Sequence, residues 1–337
     1  MTLKFGFDLL LGALPVLAFL AALVFLDSYK LLTLRMVLGV VLCGALAAGA
    51  SYVTNDALLG LLHLDLRPFS RYVAPVVEEA WKGLIIVVLI RTHRIGFLVD
   101  AAILGFAAGT GFALVENFHF LGIIPDAGIG TWVVRGFGTA IMHGGATALF
   151  AVMGLTLLEE AKRNSLLPLL PGFALAAALH SSFNHLSDSP RLATLAMIIV
   201  LPPLSYLIFQ RSEKTTSDWL VEGFDADAEM LMLISSGHLS ESPVGKYLET
   251  LKGKFKGPIV ADLLCYLRLH TELAMRAKGL LMMRQNGFDV SIDEKTREKF
   301  AEIRYLEGAI GKTALLAIQP MLRVSRKDLR QMYMLGK

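Results

Sequence analysis

Four apolar segments of the sequence contain polar side chains that can move a proton, bind a metal or polarise a carbonyl group. An ionisable side chain inside a membrane span costs about 2.5 to 3.5 kcal/mol on insertion scales. Each of these residues therefore needs a partner, a water-filled cavity or a function. The residues, in chain order, are Glu78, Glu79, Lys82, Glu116, Asn117, His119, Arg135, Thr139, His143, His180 and Asn184.

The depth of these residues in their segments favours a common site. Consecutive membrane spans run in opposite directions, so unrelated polar residues would lie at scattered depths. Counted from the outer edge of each segment, the three glutamates and both histidines instead fall in one layer about 7 to 17 Å deep, at 1.5 Å per helical residue. This agreement predicts that the four segments bring their polar groups together.

Helical spacing predicts which side chains share a face. Residues three or four apart lie on the same side of a helix, so Glu78 and Lys82 are predicted neighbours. Gly105 and Gly109 fall on one stripe with Glu116. Because small residues allow helices to approach closely, Glu116 is expected to face protein rather than lipid.

This set of residues fits the hydrolysis of a peptide bond inside a membrane. The reaction needs a base for water and a group that stabilises the oxyanion. Glu78 or Glu79 can supply the base. Glu116, His143 and His180 are the ligand types of a three-ligand catalytic zinc site. In a metal-free alternative, His143 and Asn184 donate hydrogen bonds to the oxyanion. The HExxH zinc motif is absent from the sequence, which leaves both options open.

Simpler interpretations exist for single residues. Glu78 and Lys82 could form a neutralising intramembrane pair. Arg135 is expected to extend its side chain to the outer surface. Asp8, Asp100 and His185 lie near segment ends and are expected to reach water. A purely structural role explains the joint occurrence of the whole set poorly.

The composition indicates a membrane protein. Of 337 residues, 55% are hydrophobic and 18% are charged, and the mean hydropathy is +0.58. The net charge of +3 is small and dispersed, which argues against nucleic-acid binding. We predict an all-α fold, a polytopic helix bundle with about seven spans. The predicted spans are 7–26, 36–53, 73–90, 97–123, 132–158, 166–186 and 191–209.

The distribution of charge divides the chain into two predicted domains. Residues 1–209 form the transmembrane bundle with the intramembrane active site, and residues 210–337 form a soluble helical domain. Helical periodicity is clearest over Ile259–Met283 and Glu294–Ile310. The tail is expected to be cytoplasmic and could bind a cytoplasmic partner. This orientation follows from basic residues predicted on one side of the membrane: Lys30, Arg35, Arg91, Arg94, Lys162, Arg163, Arg211 and Lys214.

The ordered motifs resemble those of the PrsW family of intramembrane proteases, which is related to the CAAX prenyl protease group. The resemblance covers about 73–186 and rests on EExxK (Glu78, Glu79, Lys82), Glu116 with Asn117, an intramembrane His143, and HxxxN (His180, Asn184). The comparable CAAX pattern is EExxxR, in which an arginine follows the two glutamates one position further along than Lys82 does. The lysine and the shorter spacing favour the PrsW branch. The resemblance implies a membrane endopeptidase, often a metalloprotease. Its bacterial members cleave membrane-bound anti-sigma factors on the extracytoplasmic side, so we expect a bacterial plasma-membrane protein.

Two other functions remain open from the sequence. A proton- or cation-coupled transporter could use the same carboxylates as a relay, although no inverted repeat is visible. A non-catalytic membrane scaffold could use the polar groups only for helix packing.

Overall fold

A computed structural model describes residues 2–124, 126–161, 165–186, 189–288, 293–322, 327, 328 and 330. The described residues form helices and connecting turns, without a β-strand among them, which confirms the predicted all-α class. The chain divides into two compact units, residues 1–212 and 213–337. Lys162 and Arg163, which contribute to the orientation argument, lie outside the described residues.

The first unit is built from helices joined by short connections. Their bounds are α1 (Thr2–Phe25), α2 (Leu34–Leu62), α3 (Leu66–Pro68), α4 (Ala74–Arg91), α5 (Leu98–Ile123), α6 (Ile129–Val134), α7 (Ile141–Ala161), α8 (Leu170–His185) and the first part of α9 (Pro190–Ser235). A 3₁₀ turn, Leu167–Leu169, precedes α8.

Among the described residues, five helices are long and apolar enough to cross a membrane. They are Lys4–Phe25, Leu34–Leu62, Leu98–Ile123, Ile129–Ala161 and Pro190–Ser235. The predicted third and sixth spans correspond to α4 and α8, which are not among the five. Helix α4 includes the charged EEAWK string, and α8 has only 16 residues. The number of seven spans therefore stays a prediction, and both helices outside the five carry candidate site residues.

Helix α5 lies at the centre of the first unit, where small residues let its neighbours approach. A Cβ atom added at Gly109 would come within 2.2 Å of the carbonyl oxygen of His143 on α7. A Cβ at Gly44 of α2 would come within 2.0 Å of the carbonyl oxygen of Ala108. These contacts confirm that the glycine stripe of α5 packs against protein. They also fix the position of the α7 backbone that carries His143.

Two π-helical turns precede the helices that carry site residues. Phe69–Val73 leads into α4, and Arg135–Ala140 leads into α7. Single π turns widen the helix locally and often occur at functional sites. The first turn is held by α8, because Ser181 Oγ donates to the Arg71 carbonyl at 2.6 Å and Asn184 Nδ2 donates to the Ser70 carbonyl at 2.8 Å.

Two acids that were expected to reach water are instead buried. Asp8 is 2% exposed and Asp100 is fully enclosed. Asp100 caps the start of α5, because its Oδ2 accepts hydrogen bonds from the backbone N–H groups of Gly96 and Phe97, both at 3.1 Å. The prediction was wrong for Asp100 because a carboxylate in the first turn that accepts from the backbone N–H groups just before the helix is stable without bulk water.

The second unit has its own hydrophobic core. Beyond the end of α9 its helices are α10 (Pro243–Lys252), α11 (Gly257–Gln285), α12 (Glu294–Ile310) and α13 (Lys312–Ile318). Leu263, Leu267 and Leu273 of α11 are buried together with Phe300 and Ile303 of α12. The two stretches with helical periodicity thus form the helices predicted for them. Asp293 caps α12, since its side chain accepts from the Thr296 backbone N–H at 3.0 Å.

Candidate active site

Lys82 forms a buried ion pair with Glu79 on α4. Its Nζ lies 2.5 Å from Glu79 Oε1, and the two side chains are 0% and 2% exposed. Helical spacing predicted Glu78, four residues away, as the neighbour of Lys82. The structure instead pairs Lys82 with Glu79, three residues away. Both spacings place side chains on one helix face. The buried pair leaves Glu78 free to contact other helices.

His180 of α8 connects the two glutamates of α4. Its Nδ1 lies 2.9 Å from Glu79 Oε1, and its Nε2 lies 3.7 Å from Glu78 Oε2. The imidazole ring is therefore oriented by Glu79 and directed at Glu78. A histidine whose second nitrogen is held by a carboxylate is a common arrangement at metal sites, because that carboxylate fixes the ring and its tautomer.

His143 of α7 lies between a cation and an anion. Its Nδ1 is 3.1 Å from Lys82 Nζ, and its Nε2 is 2.6 Å from Glu116 Oε2. An ammonium group can only donate, so Nδ1 accepts and the ring hydrogen is assigned to Nε2, which donates to Glu116. The rings of His143 and His180 meet edge to face with centroids 4.7 Å apart. Glu116 thus faces protein, as predicted.

Arg135, in the π turn before α7, binds Glu116 and was misjudged from the sequence. Its Nη2 donates to Glu116 Oε1 at 3.0 Å, and its Nε donates to Asn117 Oδ1 at 2.8 Å. Its guanidinium lies 3.7 Å from the ring centroid of Phe120, and the side chain is 11% exposed. The expectation that Arg135 extends to the surface was wrong, because the half-buried carboxylate of Glu116 lies within reach and binds it instead.

Asn55 of α2 is a site residue that the sequence analysis did not identify. Its Nδ2 donates to Glu78 Oε1 at 3.3 Å, while its buried Oδ1 has no hydrogen-bond partner among the described residues. Nearby, Trp81 Nε1 donates to Thr54 Oγ1 at 3.2 Å and joins α2 to α4. A signal was present in the sequence, since Asn55 lies two residues past the predicted span 36–53. The observed helix continues to Leu62 and places Asn55 beside the cluster.

Asn184 is placed at the same cavity but is directed at a backbone group. Its Nδ2 donates to the Ser70 carbonyl in the π turn before α4. It is half-buried and lines the cavity that also contains Glu78, His143 and His180. The predicted HxxxN pair therefore reaches two parts of the site: His180 contacts the glutamates, and Asn184 holds the turn that leads to them.

The side chains at the centre of this cluster could hold a metal ion. Ligand atoms of Glu78, His143 and His180 all lie within 4.8 Å of one another. The carboxylate in this group is Glu78, whereas the predicted ligand set has Glu116, which is bound to Arg135 and His143. Two ligands of a tetrahedral zinc site lie about 3.4 Å apart when each is about 2.1 Å from the ion. The 3.7 Å between His180 Nε2 and Glu78 Oε2 is close to this value, so the spacing of this pair of donors fits a zinc ion.

The cluster lies in a cavity of about 1,100 Å³ in the first unit. Its floor contains the buried His143 and His180 together with the half-buried Glu78. Exposed residues from the ends of α2, α5 and α8 and from the start of α9 form its mouth. Glu78 and Glu116 line this cavity, whereas the described lining does not include Glu79 or Lys82. A peptide segment could therefore reach Glu78 from the mouth.

Comparison with known proteins gives one match. The protein-family model described as PrsW family intramembrane metalloprotease matches residues 33–208, just over half of the chain. No curated protein and no solved structure matches the chain. The matched segment includes the whole cluster, from Asn55 on α2 to Asn184 on α8, and lies within the first compact unit.

Proposed function

The chain belongs to the PrsW family of intramembrane metalloproteases, and from this premise we propose how its residues hydrolyse a peptide bond. It is an integral membrane peptidase whose substrates are membrane proteins. The observation that carries the proposal is the convergence of Glu78, His143 and His180, from three different helices, on the floor of one cavity.

Glu78 is the carboxylate that acts as the base for the attacking water. It lines the cavity and has one carboxylate oxygen directed towards His180. Glu79 is enclosed, and its Oε1 is shared between Lys82 and His180. A base must come within hydrogen-bond reach of the proton that it accepts. Glu78 satisfies this requirement, whereas Glu79 is suited to orienting His180.

With a metal bound, Glu78 would be a ligand instead of the free base, and Glu78, His143 and His180 together would hold the ion. A bound zinc ion supplies a Lewis acid for the substrate carbonyl and lowers the pKa of coordinated water. Glu79 holds His180 from its other nitrogen, and Glu116 does the same for His143. Such outer carboxylates keep ligands in position. Lys82 balances the charge of Glu79, and its hydrogen bond to His143 Nδ1 would have to break before a metal could take that nitrogen.

In the metal-free alternative, the residues on the floor of the cavity have different roles. Glu78 then accepts the proton of water, and Asn184 donates a hydrogen bond to the oxyanion. His143, which the sequence suggested as a second donor, has its ring hydrogen directed at Glu116. Asn184 lines the cavity, and an amide nitrogen carries two hydrogens, so its bond to Ser70 leaves one for substrate. Metal content distinguishes this alternative from the metal site.

The location and substrate of the reaction follow from sequence and family. We infer that residues 1–209 form the membrane bundle and that residues 210–337 form a cytoplasmic helical domain. The cleavage site would lie near the outer leaflet of a bacterial plasma membrane. An anti-sigma factor is the substrate type that the family suggests.

The test compares Glu78→Gln with a control variant in proteoliposomes that contain a single-span reporter protein. Glu78→Gln is expected to abolish cleavage, and Glu160→Gln, which alters an exposed acid of α7, serves as the matched control. Metal analysis of the wild type beside His143→Ala and His180→Ala distinguishes zinc from metal-free chemistry, with His238→Ala as control. Cleavage at the wild-type rate by Glu78→Gln would refute the proposal. Glu116-dependent ion flux without proteolysis would favour the transporter instead.

A further inference from the structure

Thr139 lines the wall of the active-site cavity between its mouth and its floor. It lies in the π turn Arg135–Ala140, four residues before His143. Along this segment the cavity lining becomes less exposed, because Thr131 is exposed, Thr139 is half-buried and His143 is buried. Glu78 is half-buried in the same lining. A peptide that enters from the mouth and reaches Glu78 would therefore pass Thr139.

The hydroxyl group of Thr139 differs from those of other threonines in the first unit. A threonine in a helix can donate to the carbonyl four residues earlier. Among the described residues of this unit, six threonines form this bond at 2.8 to 3.0 Å: Thr54, Thr92, Thr110, Thr147, Thr156 and Thr194. The hydroxyl of Thr139 has no hydrogen-bond partner among the described residues. Its oxygen is not enclosed by protein either, so it is accessible from the cavity.

The π turn accounts for the missing bond and holds Thr139 in place. Inside such a turn, backbone hydrogen bonds connect residues five apart, which displaces the carbonyl four residues earlier. A Cβ atom added at Gly138 would come within 2.4 Å of Thr194 Oγ1 on α9 and within 3.2 Å of Phe183 Cζ on α8. The turn therefore packs closely against α8, on which Asn184 follows Phe183.

The proposed reaction needs donors that the floor of the cavity does not supply. Negative charge develops on the carbonyl oxygen of the substrate, and donors directed at that oxygen stabilise it. The ring hydrogen of His143 is directed at Glu116, so it is not available. Asn184 has one amide hydrogen left beside its bond to Ser70. A hydroxyl group can rotate its hydrogen towards an acceptor, which suits Thr139 to be the second donor.

We infer that the Thr139 hydroxyl donates a hydrogen bond to the carbonyl oxygen of the scissile peptide bond. This inference rests on the proposed peptidase function and adds a catalytic residue to it. The bond strengthens as the oxygen becomes negatively charged, so it lowers the barrier of the reaction. Thr139 keeps its proton throughout, and Glu78 remains the group that accepts the proton of water.

The experiment compares variants of Thr139 in the proteoliposome cleavage assay. Thr139→Val removes the hydroxyl and keeps the shape of the side chain, whereas Thr139→Ser keeps the hydroxyl. Loss of one oxyanion donor lowers kcat by about 100- to 1,000-fold. We expect Thr139→Val to lower kcat by about 100-fold with little change in KM, because the bond is strongest in the transition state. Thr139→Ser should retain most of the wild-type kcat.

The matched control is Thr156→Val on α7. Thr156 is also half-buried, its hydroxyl donates to the Val152 carbonyl at 2.9 Å, and the described cavity lining does not include it. This variant removes a threonine hydroxyl from the same helix and should keep the wild-type kcat and KM.

A phosphinic peptide measures the same hydrogen bond without turnover. Its tetrahedral phosphorus group places a negatively charged oxygen where the transition state has one. Thr139→Val should weaken inhibition by this peptide by about the same factor as it lowers kcat/KM. Binding of the corresponding amide peptide, measured with and without Thr139→Val in the Glu78→Gln protein, should not change.

Several results would overturn the inference and leave the peptidase intact. These are wild-type kcat in Thr139→Val, a rise in KM alone, or equal losses of kcat in Thr139→Val and Thr139→Ser. Thermal unfolding in detergent shows whether each variant folds; if Thr139→Val does not, Thr139→Ala beside Thr139→Ser gives the same comparison. A wild type that cleaves no reporter would instead refute the proposed function, and the inference would fail with it.

Discussion

The substitution Arg135→Met tests whether the arginine supports the active site through Glu116. It removes the donor that lies 3.0 Å from Glu116 Oε1 and keeps an unbranched side chain against Phe120. Glu116 is 25% exposed, so its charge is only partly solvated once the arginine is gone. Removing one partner of a fully buried pair costs about 3 to 5 kcal/mol. Because Glu116 is partly exposed, we expect Arg135→Met to lower the free energy of unfolding by about 2 to 3 kcal/mol.

The same substitution should slow catalysis. Glu116 Oε2 accepts the Nε2–H of His143 and thereby orients its Nδ1. Loss of an outer partner of a metal ligand typically costs about 10- to 100-fold in activity or metal affinity. We expect kcat to fall within this range with little change in KM, because Arg135 positions His143 and does not hold the substrate.

A double-mutant cycle with Glu116→Gln separates the two effects. In the double variant no unpaired charge remains, so thermal unfolding in detergent should recover about 2 kcal/mol relative to Arg135→Met alone. Reporter cleavage in proteoliposomes should stay low, since the neutral amide accepts more weakly from His143. Arg35→Met, which changes an exposed arginine, is the control for both measurements.

Two results would refute this reasoning. Wild-type stability and kcat in Arg135→Met would show that Glu116 does not need the arginine. A double variant no more stable than Arg135→Met would show that the arginine acts through Asn117 or Phe120 and not through Glu116.

Three further predictions follow from single contacts. Gly109→Ala should destabilise the protein by about 1 to 3 kcal/mol and abolish cleavage, because the added Cβ would clash with the His143 carbonyl oxygen. Gly122→Ala, where a Cβ meets nothing within 4 Å, is the control in the same unfolding and cleavage assays. Asn55→Ala should lower kcat/KM about fivefold through loss of the long hydrogen bond to Glu78, and unchanged kcat/KM would contradict that role. Hydrogen bonds from Thr296 hold the pKa of Asp293 below its ordinary value, so its contribution to stability is present at neutral pH and is lost as pH falls through that lowered pKa. The free energy of unfolding of the full chain, measured against pH, should therefore fall less steeply at acid pH in Asp293→Asn than in the wild type. Identical profiles would exclude the cap.

The meeting of the polar residues could be predicted because two simple constraints act together. Charges inside apolar segments need partners, and helical spacing limits which faces can supply them. Glu116 shares a stripe with Gly105 and Gly109, and the structure indeed packs that stripe against α7. The predicted common depth agrees with the observed contacts of His143 and His180.

The partner of each charge could not be predicted from the same constraints. Residues three and four positions apart are both neighbours on a helix, so sequence alone does not decide between Glu78 and Glu79 as the partner of Lys82. The two π turns add a local rotation that apolar periodicity does not reveal. Arg135 lies in one of them, and its contact with Glu116 depends on that rotation.

The partners of the α4 ion pair lie far along the chain on α7 and α8, and this has a consequence for biogenesis. During synthesis, α4 leaves the ribosome before His143 and His180 exist, since these partners lie 61 residues after Lys82 and 101 residues after Glu79. If α4 spans the membrane as predicted from the sequence, its Glu79–Lys82 ion pair would lack its other partners until α7 and α8 have been synthesised. Nascent chains truncated between α4 and α7 should be targets for membrane quality control, and catalytic competence is acquired only at a late step of insertion.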